Sequence, residues 1–156
     1  MRVTIASDHA GFRYKEIFVR ELEEQGYEIT DLGTHSEESR DYPDVAGELA
    51  EFLLEGSADR GVLVCGSGIG MSLAANKFPG IRAAVGHTNY SARQCVEHDD
   101  ANVICIGERV VGIEVARDIV STFLHAEFTG EERHRRRVDK IRALEERLRL
   151  KPVSRE

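Results

Sequence analysis

The sequence lacks any apolar stretch long enough to span a membrane, so an integral membrane protein is not expected. Its first residues, "MRVTIASDH", also lack the apolar core and cleavage site of a signal peptide. We therefore expect a cytoplasmic protein without a membrane partner. Internal repeats and low-complexity linkers are missing too. The 156 residues are expected to form one domain over residues 1–149 and a short tail at 150–156.

Cysteine is scarce, and its spacing excludes two common roles. Cys65, Cys95 and Cys105 form no C-x-x-C pair, and their odd number argues against a disulfide framework. No group of side chains has metal-ligand spacing, so we expect no metal. Cys95 and Cys105 lie among apolar or helical neighbours and are interpreted as small packing residues. Cys65 needs a separate explanation.

Positive charge is in deficit, with 21 basic residues against 28 acidic ones and a formal charge of -7. This balance argues against a protein whose whole surface binds nucleic acid, and no such partner is expected. The basic run at residues 133–137 lacks interleaved aromatics, and such a run is usually a solvated helix face. Arg133 and Arg137 nevertheless lie one helical turn apart, a spacing that suits two guanidiniums on one phosphate.

Short apolar runs alternate with helical patterns along the chain. Strands this apolar on both faces, separated by helices, favour a parallel sheet covered on each side. We predict an α/β fold, a doubly wound, Rossmann-like α/β/α sandwich whose five-stranded parallel sheet has the order 2-1-3-4-5. The predicted strands cover residues 2–6, 27–33, 61–65, 81–86 and 101–107, and the predicted helices cover about 12–25, 43–55, 69–77, 89–97, 112–125 and 131–150.

The last predicted helix is highly charged and carries a narrow apolar stripe. The stripe consists of Val138, Ile141, Leu144 and Leu148, at spacings of three and four residues. On a small domain such a helix often packs on another subunit. We therefore expect this C-terminal helix to contact a partner subunit.

Reactive side chains are predicted to gather at one rim of the sheet. In an open parallel sheet, ligands bind beyond the carboxyl ends of the strands, near the point where the strand order reverses. That point lies between the first and third predicted strands, which end in "SDHAG" and "CGSGIG". The fourth ends in "GHTN" and the fifth in "GERV". Asp8, His9 and Cys65 are thus expected to converge.

The loop "CGSGIG" at residues 65–70 admits several explanations. A dinucleotide site needs G-x-G-x-x-G after the first strand, whereas this loop reads G-x-G-x-G after the third. A thiolate phosphatase loop needs Arg six residues after the Cys, a position that is Met71 here. A third hypothesis is a glycine turn whose N–H groups and helix dipole stabilise negative charge beside a reactive Cys65. The plain structural alternative is a buried Cys with glycines that allow tight packing.

The histidines are weighed in the same way. His35, His87, His125 and His134 could all be solvated surface residues, which is the better explanation for His35 and His125. His98 follows a helix and precedes a buried strand, where capping alone could explain it. Asp99 and Asp100 are first interpreted as turn residues.

Several segments of the sequence match the motifs of one known family. The sequence resembles the type B ribose-5-phosphate isomerases, in the family that also contains the galactose-6-phosphate isomerase subunits. The matching segments occur in the family's order and span nearly the whole chain. They are "SDHAGF", "DLGT", "DYPD", "CGSGIGMSLAANKFPGIRAA", "ANVICIGERVVG" and "RHRRRV".

The resemblance implies reversible aldose–ketose isomerisation without a metal or organic cofactor, here of ribose 5-phosphate to ribulose 5-phosphate in the pentose phosphate pathway. In that family Cys65 would be the base that moves a proton between C1 and C2 of a cis-enediolate. Asp8 would transfer hydroxyl protons, and His98 would help to open the furanose ring. The oxyanion hole would consist of the loop amides together with the Ser67 hydroxyl, at Gly66, Ser67, Gly68, Ile69 and Gly70.

The resemblance also implies a phosphorylated aldose or ketose as substrate and a site shared between two subunits of a homodimer or a dimer of dimers. The phosphate would be bound by His9, Arg109, Arg133 and Arg137, and the sugar by Asp8, Tyr42 and Asp99.

Two positions bear on the chemistry that the resemblance implies. One branch of the family lacks the Cys and uses a Glu at the position of Met71, so the thiol must be the base here. The family usually has Asn at the position of Asp99. An Asp can accept a hydrogen bond from a sugar hydroxyl but cannot donate one as the amide of Asn does.

Two alternatives to the pentose reaction stay open. The same loop could isomerise a hexose 6-phosphate, of the allose or galactose type, in a roomier pocket. The chain could also be a non-catalytic sugar-phosphate binding module. A reactive thiol at Cys65 separates catalysis from binding, because a binder does not need one.

Overall fold

The computed structural model describes residues 1–149, and the predicted tail at 150–156 lies outside the described residues. Each predicted strand and helix is present, and no end moves by more than two residues. The strands are β1 (Arg2–Ser7), β2 (Glu28–Asp31), β3 (Arg60–Cys65), β4 (Ala83–Val85) and β5 (Val103–Gly107), and the helices are α1 (Phe12–Glu24), α2 (Tyr42–Leu54), α3 (Ile69–Ala75), α4 (Asn89–Asp99), α5 (Ile113–His125) and α6 (Glu132–Arg149). Among these helices, none is long and apolar enough to cross a membrane.

The five strands form one parallel sheet in the order β2-β1-β3-β5-β4. The predicted doubly wound α/β fold is confirmed, but the predicted order 2-1-3-4-5 is wrong for the last two strands. All five residues of β5, "VICIG", are buried, whereas the three residues of β4, "AAV", are only half-buried. The longer and more apolar strand takes the interior position because both of its faces can then be covered.

Helices cover both faces of the sheet. Successive side chains of a strand point to opposite faces. On β3, Val62 and Val64 therefore face the cluster formed with α1, α4 and α5. Leu63 and Cys65 face the cluster formed with α2 and α3. Cys65 thus ends its strand on the same side as the helix that follows it.

Local capping explains where several helices begin. The Thr88 hydroxyl accepts a hydrogen bond from the Ser91 amide at 3.1 Å and forms a capping box at the start of α4. Pro43 occupies the first turn of α2, where a missing N–H costs nothing. Gly11 precedes α1 and packs against β3, since a Cβ there would lie 2.5 Å from the Val64 carbonyl carbon and oxygen.

The outer edge of β4 is closed by the side chain of Asn76. Its Oδ1 accepts from the Ala83 amide at 2.9 Å, and its Nδ2 donates to the Ala83 carbonyl oxygen at 2.8 Å. The Ser72 hydroxyl donates to the same carbonyl oxygen at 3.2 Å. The side chains of Ser72 and Asn76 therefore provide hydrogen-bond partners for the amide and carbonyl groups of Ala83 on the outer edge of the sheet.

The C-terminal helix α6 packs on the rest of the chain along part of its stripe. Val138 is buried, whereas Ile141, Leu144 and Leu148 are 38%, 46% and 62% exposed. Farther along, the Glu145 carboxylate accepts from the Gly80 amide at 3.0 Å. Three residues of the apolar stripe therefore stay exposed within one chain, and contact with a partner subunit stays a prediction.

Candidate active site

The candidate active site is an open pocket of about 680 Å³ at the carboxyl ends of β1, β3 and β5. This volume lies in the range of small-molecule sites. Gly107 at the end of β5 pairs with Cys65 at the end of β3, which places the "GERV" turn beside the glycine loop. The "GHTN" loop follows the edge strand and does not line the pocket. Nine predicted site residues do so: Asp8, His9, Tyr42, Cys65, Gly66, Ser67, Ile69, Gly70 and Arg109.

The Cys65 sulfur lies at the base of the glycine loop. Its side chain is 5% exposed, and the Gly68 amide donates to the sulfur at 3.0 Å. Gly68 has φ +78°, in the left-handed region that favours glycine, and a Cβ there would lie 3.2 Å from the Cys105 carbonyl oxygen. The turn directs an amide donor at the thiol, where it stabilises negative charge on the sulfur.

The glycine loop packs directly on its neighbours. A Cβ on Gly107 would lie 2.6–2.8 Å from backbone atoms of Ser67, and a Cβ on Gly70 would lie 2.9 Å from the Tyr42 ring. Two of the predicted oxyanion-hole amides already have partners, because the Gly68 amide bonds to the thiol and the Ile69 amide to the Ser67 hydroxyl at 3.3 Å. The loop is therefore held by close contacts that only glycine allows.

Asp8 is buried at the end of β1. Its Oδ1 accepts from the amides of Ala10 and Gly11 at 2.9 and 3.2 Å, which leaves Oδ2 to the pocket. Burial raises the pKa of Asp8, while the two amide bonds and the nearby His9 and Arg109 act in the opposite direction. A carboxyl group with a raised pKa is suited to transferring protons near neutral pH.

The ring of His9 is oriented by the loop that precedes α2. The Arg40 amide donates to Nδ1 of His9 at 3.3 Å, and the Arg40 guanidinium is ion-paired with Glu48 on α2. A neutral imidazole that accepts at Nδ1 carries its proton on Nε2. The arrangement therefore assigns a tautomer in which His9 presents an N–H donor.

Arg109 is bonded to the glycine loop through the main chain. Its amide donates to the Gly66 carbonyl oxygen at 3.0 Å, and the preceding Glu108 amide donates to the Cys65 carbonyl oxygen at 2.9 Å. Its guanidinium lies against the loop, since a Cβ on Gly66 would be 3.5 Å from the Nη1 atom. A permanent positive charge thus lies beside the glycine loop and close enough to Asp8 to affect its pKa.

Five predicted site residues do not line this pocket. Gly68 lies behind it in the glycine loop, with its amide bonded to the thiol, and the other four are His98, Asp99, Arg133 and Arg137. His98 and Asp99 end α4, and the two arginines lie in the first turns of α6. Asp99 is exposed and lines a groove beneath α6 with Ile141 and Leu144. Within one chain, the predicted site therefore falls into two separate groups.

His134, which on the sequence alone could be a solvated surface residue, is buried in the structure. Its side chain is 1% exposed, and its ring stacks on that of His98 with the ring centroids 4.1 Å apart and the planes at 21°. The other three candidates, His35, His87 and His125, are exposed as expected. His134 precedes Val138 by four residues, so it extends the apolar stripe of α6 by one turn, a signal that the sequence did contain.

The remaining cysteines lie in the two apolar cores, as the sequence predicted. Burial raises the pKa of Cys95 to about 11 and raises that of Cys105 further. Such thiols are unreactive near neutral pH. Within residues 1–149, no group of three or more His, Cys, Asp or Glu side chains is arranged to hold a metal ion.

The chain is similar to one known protein family over most of its length. Residues 3–141 match the family described as Ribose/Galactose Isomerase. The chain belongs to the ribose/galactose isomerase family. This membership confirms the resemblance inferred from the sequence and the predicted enzyme class, an aldose–ketose isomerase.

Individual members of the family are similar over nearly their full length. The chain is 45% identical over 146 residues to ribose-5-phosphate isomerase B of Escherichia coli, which covers 94% of this chain and 97% of that protein. It is 40% identical over 148 residues to D-erythrulose-4-phosphate isomerase 2 of Mycolicibacterium smegmatis, with 93% and 97% covered. The solved structure of Clostridium thermocellum ribose-5-phosphate isomerase B superimposes with a TM-score of 0.93 at 50% identity, with 95% and 99% covered.

Proposed function

We propose that the chain interconverts ribose 5-phosphate and ribulose 5-phosphate through a cis-enediolate. The observation that carries the proposal is the pocket in which a thiol, a buried carboxyl group, a histidine N–H donor and a guanidinium meet. Family membership and the similarity to ribose-5-phosphate isomerases support the same reaction.

Cys65 and Asp8 divide the proton transfers between them. The Cys65 thiolate takes the proton from C2 of the open-chain aldose, and the electron pair forms the C1–C2 double bond while O1 becomes an oxyanion. Asp8 moves the hydroxyl proton from O2 to O1, and the thiol returns its proton to C1 to give the ketose. The Ser67 hydroxyl and the loop amides of Gly66, Ser67 and Gly70 stabilise the developing charge, an effect that is commonly worth several kcal/mol. The Gly68 and Ile69 amides, which bond to the thiol and to the Ser67 hydroxyl, are not counted among these donors.

The phosphate is bound by groups from two subunits in this proposal. His9 and Arg109 line the pocket of one protomer, whereas Arg133 and Arg137 lie on α6 away from it. An exposed apolar rim surrounds the pocket, and the α6 stripe is exposed as well. Both features support a homodimer in which α4 and α6 of one protomer complete the pocket of the other. The rim consists of Tyr42, Ile69, Leu73 and Val110.

A substrate panel tests the reaction. The wild-type protein should isomerise ribose 5-phosphate with a higher kcat/KM than allose or galactose 6-phosphate. Cys65→Ala should abolish turnover while circular dichroism stays unchanged, and Cys95→Ala, which removes a thiol outside the pocket, should keep it. A better hexose substrate would favour the hexose alternative, and binding without turnover of any sugar would favour a non-catalytic binding module.

Complementation tests the shared site. Cys65→Ala and His98→Ala should each be inactive alone, but random exchange of their subunits should restore about a quarter of the wild-type sites if one subunit supplies Cys65 and the other His98. No recovery after demonstrated subunit exchange would mean that each chain carries a complete site. The cytoplasmic location stays a prediction.

A further inference from the structure

His134 is buried without a hydrogen bond to either ring nitrogen among the described residues. Buried polar side-chain atoms nearly always have such a partner, so the exception needs an explanation. The nearest carboxylate oxygen, Oε2 of Glu131, lies 4.0 Å from Nε2, which is too far for a hydrogen bond. The ring of His134 stacks on the ring of His98.

The surroundings of His134 keep its ring neutral. Burial lowers the pKa of His134, and the charges of His98 on α4 and of Arg133 and Arg137 on α6 lower it further, with Glu131 opposing them. Two protonated rings 4.1 Å apart would repel each other strongly. The ring of His134 is therefore a neutral partner in the stack, and His98 is the partly exposed member of the pair.

We propose that His134 is a positioning residue for His98, providing the flat, neutral surface against which the His98 ring is held while it opens a cyclic sugar phosphate. The inference rests on the proposed function. In ring opening, the C1–O4 bond breaks, its electron pair goes to O4, and O4 takes a proton from His98. The O1 hydroxyl proton passes to a base, for which Asp8 is the candidate, and C1 becomes the aldehyde carbon.

The chemistry of sugar phosphates provides a selective test. Ribose 5-phosphate closes into a furanose through its free O4 hydroxyl. Erythrose 4-phosphate carries its phosphate on O4 and so stays open-chain. A residue that acts through ring opening therefore affects the first substrate and not the second, whereas a residue needed for folding affects both. One relative of the chain is named D-erythrulose-4-phosphate isomerase 2. D-erythrulose 4-phosphate is the ketose that corresponds to the open-chain aldose erythrose 4-phosphate.

Two replacements of His134 distinguish the effect of ring stacking from that of the ring nitrogens. His134→Ala removes the stack, and His134→Phe keeps a flat neutral ring of similar size. With ribose 5-phosphate, His134→Ala should lower kcat about 10-fold or more, a fraction of what general acid catalysis supplies, and His134→Phe should restore most of it. With erythrose 4-phosphate, both variants should match the wild-type protein. Equal losses on both sugars, or Phe as damaging as Ala, would overturn the proposal.

Histidine NMR tests the stack without turnover. The C2 proton of His98 should resonate upfield in the wild-type protein and in His134→Phe, because the adjacent ring shields it, and should move downfield in His134→Ala. An unchanged His98 resonance in all three proteins would refute the proposal even if neither sugar is a substrate. Wild-type inactivity on the whole sugar panel would instead remove the proposed function and leave this measurement intact.

Discussion

Gly107 at the end of β5 supports the glycine loop, and the distances in the structure give the steric overlap that Gly107→Ala would create. The new Cβ would lie 2.6 Å from the carbonyl carbon, 2.7 Å from the oxygen and 2.8 Å from the Cα of Ser67. These are backbone atoms, which cannot rotate away. The loop would have to move by about 0.6–0.8 Å to restore an ordinary 3.4 Å contact. Overpacking of this kind costs about 1–3 kcal/mol of unfolding free energy.

Two measurements on Gly107→Ala check that reasoning. A loss of about 2 kcal/mol should lower Tm by about 4–8 °C in a chain of this size. The moved loop carries the Ser67 hydroxyl and adjoins the thiol, and a displacement near 1 Å at reacting groups costs about 100-fold in kcat. The matched control is Gly112→Ala, because a Cβ there meets nothing within 4 Å and its φ of -64° suits any residue. Gly107→Ala with the kcat and Tm of the control would refute the role of this contact.

Two further predictions concern the pocket's ionisable groups. Iodoacetamide should alkylate Cys65 before Cys95 and Cys105, because burial raises the pKa of Cys95 to about 11 and Cys105 is fully buried. Peptide mass spectrometry gives the order, and first labelling at Cys95 would contradict it. Asp8→Asn should flatten the pH dependence of stability. Burial raises the pKa of Asp8 in the folded state above its value in the unfolded chain. The protonated carboxyl group therefore contributes its full stability below the unfolded-state pKa, and this contribution is lost as pH rises through the folded-state pKa. Urea unfolding across acidic pH tests this, and equal slopes would argue against it.

Much of the fold could be predicted because apolar periodicity directly reflects burial. The predicted bounds of the strands and helices agree with the structure to within two residues, and the alternation of strands and helices predicts the parallel sheet. The order of β4 and β5 does not follow chain order, because β5 lies between β3 and β4 in the sheet. The contrast between "AAV" and "VICIG" is the sequence signal for this order, because the more apolar strand belongs inside the sheet.

The candidate site was predictable where strand ends carry the chemistry. Asp8 and Cys65 end neighbouring strands, and their convergence needs only the rule for open sheets. The Arg40 amide at His9 was not predictable, because every residue has such a donor and only the path of the loop decides which one is used. The stack of His98 on His134 depends on how α6 crosses α4, which is a matter of tertiary packing.

The amide of Asn76 gives the sheet a chemical boundary. By offering an acceptor and a donor to the two main-chain groups of Ala83, it imitates the residue that a sixth strand would place there. Unpaired strand edges can recruit extended segments of other chains, which is a route to aggregation. A foreign strand approaching β4 would first have to displace this side chain. Asn76 thus makes β4 a poor template for further growth of the sheet.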